Sequence, residues 1–223
     1  MTIHLRRQLE QLQQDLFGLA ALAEQAVHKA LRALRERDTA LAQEVVEGDA
    51  QVDAEENRVS EDCLKLLALH QPVATDLRRV VTGMMAATDL ERIADLAQEI
   101  AERALHLAGL TAAVPAPAAL PEMADKAAAM VQGSLDAFVA LDANAARAVC
   151  RMDDEVDRLN DQAIADLVKI MKSSPEAVES ALSMFSVVRD LERIADHATN
   201  VAEEVVYLTE GMLIRHHPEA LVD

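Results

Sequence analysis

Four short stretches of this chain carry acidic and amide side chains at a spacing that suits metal chemistry. Glu91, Asp95 and Glu99 stand at i, i+4 and i+8, and Glu192, Asp196 and Asn200 repeat the pattern. Upstream of each lies a partner stripe, Asp49, Asp53 and Asn57 in one case and Asp153, Asp157 and Asp161 in the other. On a helix a four-residue step drifts by only about 40°, so each trio is expected to share one face. Side chains one turn apart lie about 5–6 Å from each other, near enough to share a cation. Two facing stripes offer oxygen donors without Cys. Such a set suits hard or borderline divalent or trivalent ions: Mg, Mn, Ca or Fe, ahead of Zn. His197 follows Asp196 and stands beside one stripe. The Glu-x-x-His pairs of di-iron bundles are missing, which disfavours oxidase-type iron chemistry.

Placement, rather than number, makes these acids informative. Six of the seven acidic i,i+4 pairs in the sequence fall inside the four stripes; the seventh is Glu219 with Asp223. Like charges at this spacing destabilise a helix by about 0.2–0.5 kcal/mol per pair. A position that keeps this cost twice has a neutralising partner or a function. Arg92 and Arg193 inside the motifs, with Arg58 and Arg158 beside the upstream ones, supply the first explanation: solvated salt bridges. Bound metal supplies the second.

The elements that position these residues follow from an internal repeat. Asp89 to Asp95 recurs without change as Asp190 to Asp196, and ten of the fourteen positions from Asp89 to Glu102 match. A fainter echo relates Asp38, Val45, Asp49, Val52 and Asp53 to Asp142, Val149, Asp153, Val156 and Asp157. Two copies of a unit of about a hundred residues are domain-sized.

Each unit reads as three helices. Leu5, Leu9, Leu12, Leu16, Leu19, Ala23, Ala26 and Ala30 alternate steps of four and three, a coiled-coil-like seam. Asp38 and Asp142 are predicted N-caps of the second helices. In unit one that helix ends near Pro72, and the third runs from about Ala74 to His106. Ser173-Ser174-Pro175-Glu176 predicts the start of the last helix, which runs to Tyr207–Gly211. The expected architecture is all-α: two tandem, pseudo-symmetric three-helix bundles, six long helices in all. The first spans 1–110, an Ala/Pro linker 111–120, and the second 121–223. One continuous six-helix bundle is the alternative, which the linker disfavours.

Composition agrees. The chain is 51% hydrophobic but only 2% aromatic, and its Ala and Leu favour helix over sheet. A net charge of −18, with both halves acidic, excludes direct binding to nucleic-acid phosphates. It suits cations or basic protein surfaces. Cys63 and Cys150 form no CxxC pair and read as buried thiols in a reducing compartment. The sequence offers no signal peptide and no spanning segment, so a cytoplasmic location is expected.

The residues also carry a resemblance. Glu91-Arg-Ile-Ala-Asp95 and Glu192-Arg-Ile-Ala-Asp196 resemble the paired E/D-x-x-x-D motifs of the PhoU family of phosphate-signalling proteins. Gln71-Pro72-Val73-Ala74-Thr75-Asp76-Leu77-Arg78 resembles that family's second signature, at the junction of helices two and three. Ala94 and Ala195 stand where the family often has Gly, and the second signature has no counterpart in unit two. Any role of Asp76, Arg78 and Arg79 beyond helix capping therefore belongs to the first bundle. The resemblance implies metal clusters at Asp49, Asp53, Glu91 and Asp95 and at Asp153, Asp157, Glu192 and Asp196. It also implies a homodimeric regulator that couples a phosphate ABC transporter ATPase to a sensor histidine kinase and acts negatively when phosphate is plentiful. Two other functions compete: a metal-dependent phosphohydrolase using the same carboxylates, with Arg92 and Arg193 to hold phosphate, and a passive helical scaffold. No activated nucleophile and no glycine-rich phosphate loop is present, so a non-enzymatic role is expected.

Overall fold

The computed structural model describes residues 3–110 and 114–214. The start of the linker (111–113) and the last nine positions assigned to the second bundle (215–223), Glu219 and Asp223 among them, lie outside the described residues. Unit one holds α1 (Ile3–Glu36), α2 (Thr39–His70) and α3 (Ala74–Gly109). Unit two holds α4 (Leu120–Ala140), α5 (Ala143–Cys150), α6 (Asp153–Ser173) and α7 (Val178–Glu210), with a short 3₁₀ turn at Pro175–Ala177. No strand occurs among the described residues.

The α1 seam lies buried from Leu5 through Leu19 and Ala23 to Ala30, with one change: Val27 takes the core position and Ala26 only flanks it. Asp38 caps α2 by accepting from the Leu41 amide at 3.0 Å. Asp142 does the same for α5, accepting from the amides of Asn144 and Ala145 at 2.9 and 3.1 Å. Each satisfies a donor that the first turn leaves free. Gln71 closes α2 in the left-handed conformation, φ 45°, and Pro72 prevents continuation. Gly211 closes α7 at φ 74°, its amide bonded to the Tyr207 carbonyl.

Two expectations need correction. The second helix of unit two is two helices, interrupted at Arg151 and Met152, where the Met152 amide reaches only to the Val149 carbonyl. The interruption starts a fresh N-terminus at Asp153-Asp154-Glu155, and the positive end of the helix dipole favours three acids in a first turn. The serines before Pro175 do not cap α7. Ser173 Oγ donates back to the Ile170 carbonyl at 3.1 Å and so closes α6, while Ser174 makes no side-chain cap.

The two units pack through α3 and α7, the most extensive helix pair in the molecule, and their cores join into one. These helices run antiparallel: α3 starts where α7 ends, with the Arg78 guanidinium beside Gly211. At the other end the Val114 amide donates to Ser180 Oγ at 3.2 Å. Midway, Asp89 of α3 accepts from His197 Nδ1 at 2.7 Å and from Asn200 Nδ2 at 3.0 Å on α7. Arg35 bonds Asp125 at 2.9 Å, joining α1 to α4. Cys63 and Cys150 are free and buried, and desolvation pushes both thiols up to about 12, which leaves them inert.

Gly211→Ala should destabilise the chain by about 1–2 kcal/mol, because alanine resists φ 74° and its Cβ would displace the Arg78 guanidinium. Asp142→Ala should cost about 1 kcal/mol through the lost cap. Urea unfolding of both variants against wild type measures these losses.

Candidate metal centres

The stripe on α2 faces the stripe on α3. Asp49 and Asp53 on α2 and Asp95 on α3 offer ligand atoms that all lie within 4.8 Å of one another. Among the described residues this is the one such group of His, Cys, Asp or Glu side chains. The Asp49 carboxyl is held above its usual range by desolvation, then by the charges of Asp53, Asp95 and Glu102. Glu91 is raised too, by desolvation and then Asp95, with Asp53 and Glu56 adding smaller repulsions. Charges that raise one another's pKa are unneutralised charges.

In unit two, α6 and α7 repeat the arrangement. Asp153 is pushed up to about 6, chiefly by desolvation, then by Asp196, Asp157, Asp154 and Glu192. Glu192 and Asp196 are raised by partial desolvation and by their neighbours Asp196 and Asp157 respectively. Glu192 Oε2 and Asn160 Oδ1 are buried without a hydrogen-bond partner among the described residues. The second set is coupled through its charges without meeting the 4.8 Å closeness of the first.

Eight of the twelve stripe residues thus come together: Asp49, Asp53, Glu91 and Asp95, and Asp153, Asp157, Glu192 and Asp196. The other four are not brought into the groups. Asn57 is exposed and its amide donates to the Asp53 carbonyl at 2.7 Å, on its own helix. Glu99 is exposed and acts on Asp190 across the interface between the units. Asn200 bonds Asp89 at that interface, and Asp161 is exposed and absent from the groups of coupled acids. The geometric reason is drift. Two four-residue steps turn a side chain by about 80°, off the face, whereas a seven-residue step returns to within about 20°. Seven residues beyond Asp49 and Asp95 stand Glu56 and Glu102, both coupled to the first cluster, with Asn160 and Glu203 as their counterparts in the repeat. The sequence held a signal for one pair: Glu102 and Glu203 are identical between copies, while Glu99 and Asn200 are not.

The arginines divide. Arg92 bonds Asp95 at 2.8 Å and sits 3.5 Å from Glu91, and Arg189 bonds Glu192 at 3.3 Å, so each cluster has one guanidinium at its edge. Arg58 turns away to the buried Asp15 of α1 at 3.0 Å and to Glu55. Arg193 lies 3.9 Å from Asp190. One bonded guanidinium against four carboxylates leaves a surplus of negative charge in both places, with Arg193 and His197 also acting on Asp196. His197 Nδ1 is engaged by Asp89, and no histidine belongs to the gathered donor group. The donors facing each groove are therefore carboxylate oxygens, which fit Mg, Mn, Ca or Fe, and the orphaned Glu192 oxygen is a free donor for such an ion.

A carboxyl raised above its unfolded value stabilises the fold fully below the unfolded pKa and loses that contribution as pH rises through the folded one. For Asp153 the window runs from 3.8 to about 6. Asp153→Asn should therefore stabilise the metal-free protein relative to wild type, with the advantage growing across that window and level above it. Thermal melts with a chelator across this pH range check the sign.

Comparison with known proteins agrees with this layout. The PhoU domain model matches twice, at residues 17–104 and 120–205. The chain is 37% identical to a phosphate-specific transport system accessory protein PhoU homolog of Pseudomonas putida, over 97% of this chain and 86% of that protein. A homolog of the same description from Pseudomonas aeruginosa is also 37% identical, over 97% of this chain and 91% of that protein. The crystal structure of PhoU from Pseudomonas aeruginosa superposes with a TM-score of 0.90 at 37% identity, covering 93% of this chain and 99% of that one. The phosphate transport system regulatory protein PhoU from Streptococcus pneumoniae gives 0.86 at 29% identity, covering 94% and 98%. With both domain matches falling on the two helical repeats, the chain belongs to the PhoU family.

Proposed function

We propose that this chain is a non-enzymatic regulator of phosphate transport whose two carboxylate clusters hold metal ions that organise it for contact with protein partners. The observation that carries the reading is the surplus of mutually raised carboxylates at corresponding places in both repeats. A cation removes that repulsion; without one it is a standing cost. The names of the relatives, accessory proteins of a phosphate-specific transport system, support a role in regulating phosphate transport. In the fuller form of the reading, the chain acts as a cytoplasmic homodimer. It couples the transporter ATPase to a sensor histidine kinase and represses the starvation response when phosphate is plentiful. No helix among the described residues is long and apolar enough to cross a membrane. Membrane contact, in this reading, runs through the partners.

The regulator is preferred to a phosphohydrolase because the guanidinium bonded at the edge of each cluster is held by the cluster's own carboxylates. Arg92 holds Asp95 and Glu91, and Arg189 holds Glu192. A two-metal hydrolase also needs open coordination positions in a site that excludes water, and Asp53, Asp157 and Asp196 are exposed.

Mn²⁺ at a hundred times its Kd should stabilise the protein by about 2.7 kcal/mol. That raises the melting temperature by about 5–10 °C for a chain of this size. The double variant Asp95→Asn/Asp196→Asn should lose most of the rise, and in cells it should release control of the phosphate response and of partner capture. Turnover of a phosphate ester by the purified wild type, lost in the double variant, would replace the regulator with an enzyme.

A further inference from the structure

Two buried oxygens of unit two have no hydrogen-bond partner among the described residues, and they stand on helices that pack together. One is Asn160 Oδ1 on α6, in a residue only 5% exposed; the other is Glu192 Oε2 on α7. A buried polar atom left without a partner costs stability. Asn160 stands seven residues beyond Asp153, within about 20° of its helical face, and three beyond Asp157. Asp196 acts on Asp153, and Asp157 acts on Glu192. A four-residue step forward on α6 therefore matches a four-residue step back on α7, and the next step reaches Asn160 on α6 and Arg189 on α7. Arg189 bonds Glu192 Oε1 at 3.3 Å and leaves Oε2 unbonded. At the same level unit one has Glu56 and Thr88. Glu56 Oε1 accepts from Ser60 Oγ at 2.7 Å, and its charge adds to the repulsion on Glu91. Ile164 stands where unit one has Ser60, so that hydroxyl is missing beside the Asn160 amide.

We infer that Asn160 is a metal ligand, whose Oδ1 joins Glu192 Oε2 and Asp157 in holding one divalent cation between α6 and α7. The inference rests on the reading above, that the clusters hold metal ions. Amide carbonyls are ordinary ligands of hard cations such as Ca and Mn. Asp161, one residue further on, is exposed and turned by about 100° from Asn160. The site also selects by charge. A neutral amide and a guanidinium stand here where unit one has a carboxylate and a hydroxyl. Coulomb repulsion from Arg189 grows with the charge of the ion, and the amide offers no compensating attraction of the kind Glu56 offers. Relative to the first centre, the second therefore favours divalent over trivalent ions.

The test uses the full chain with Asp49→Asn/Asp95→Asn to silence the first cluster, and titrates Mn²⁺ by the electron paramagnetic resonance of the free ion. Asn160→Leu in that background should weaken Mn²⁺ binding by about tenfold or more, the least that loss of a supporting ligand partner costs. Asp161→Asn should leave binding unchanged. Asn160→Asp should keep Mn²⁺ and raise the preference for La³⁺ over Mn²⁺ by about tenfold. Thermal melts separate a ligand from a packing amide. With a chelator, Asn160→Leu should melt at or above its parent, because it removes an unsatisfied buried oxygen; with Mn²⁺ it should melt below. A loss of the same size in both conditions overturns the proposal. So does Mn²⁺ binding indifferent to Asn160→Leu or equally sensitive to Asp161→Asn, an unchanged La³⁺ preference in Asn160→Asp, or no Mn²⁺ bound once the first cluster is silenced. The metal reading fails on a different observation: wild type whose melting temperature ignores Mn²⁺. A wild-type rise together with an indifferent Asn160→Leu sinks this inference alone and leaves that reading in place.

Discussion

One seven-residue segment, Asp-Leu-Glu-Arg-Ile-Ala-Asp, has to face three ways at once, and the molecule is arranged around that constraint. In α3 its Leu90, Ile93 and Ala94 are buried in the core, its Glu91 and Asp95 turn to the stripe on α2, and its Asp89 reaches across to the other unit. α7 repeats the division with Leu191, Ile194 and Ala195 inside, Glu192 and Asp196 toward α6, and Asp190 at the interface. A helix can serve three neighbours only if small residues let them approach, which is the use of the alanines. α3 buries Ala86, Ala87, Ala94, Ala97, Ala101 and Ala104, and α7 buries Ala181, Ala195, Ala198 and Ala202. The acids are thereby fixed on rigid elements rather than on loops, which is what a defined cation site requires.

The pseudo-symmetry is broken where it matters for coupling the units. Asp89 finds two donors, His197 and Asn200. Its counterpart Asp190 meets Glu99 in the place of Asn200 and is buried, with Oδ2 unbonded among the described residues. Desolvation, followed by Glu99, pushes Asp190 up to about 6, even with Arg193, Arg103 and Arg189 opposing the shift. One interface acid is satisfied and the other is not. Two exchanges between the copies, Leu96 for His197 and Glu99 for Asn200, account for the difference.

Much of the fold was legible because it depends on local chemistry. The caps at Asp38 and Asp142, the stop at Gln71-Pro72 and the end at Gly211 are each written in one or two residues whose preferences have a mechanism. The facing stripes were legible because the repeat marked them. What could not be read was decided by neighbours far away in sequence. Arg58 beside Asp53 looked like a neutralising partner until α1 placed the buried Asp15 within reach. His197 beside Asp196 belongs to Asp89, 108 positions earlier. The break at Arg151 and Met152 carries no Pro or Gly to announce it. Asn57, Glu99, Asp161 and Asn200 were assigned by extending a four-residue step one turn too far; helical geometry alone, with Glu102 and Glu203 identical at the seven-residue step, argues for the other register.

The break at Arg151–Met152 also separates the two clusters in character. In unit one the stripe lies within the uninterrupted α2, and Asp49 sits in mid-helix with ordinary helical neighbours. In unit two Asp153 is the first residue of α6, followed directly by Asp154 and Glu155. The dipole at a helix start favours their negative charge, yet Asp153 is the more strongly raised of the two corresponding residues, the only one of the pair driven to about 6. Desolvation and four neighbouring carboxylates, two of them facing it from α7, therefore outweigh the dipole there. On the proposed metal reading, the second cluster holds more unrelieved repulsion for a cation to relieve, and it keeps the orphaned Glu192 oxygen. The first cluster instead has donor atoms of Asp49, Asp53 and Asp95 already gathered within 4.8 Å. Preorganisation favours the first site and electrostatic relief favours the second, so two copies of one sequence motif need not bind alike. Protons compete for the second more strongly, since its leading carboxylate takes one up nearest neutrality.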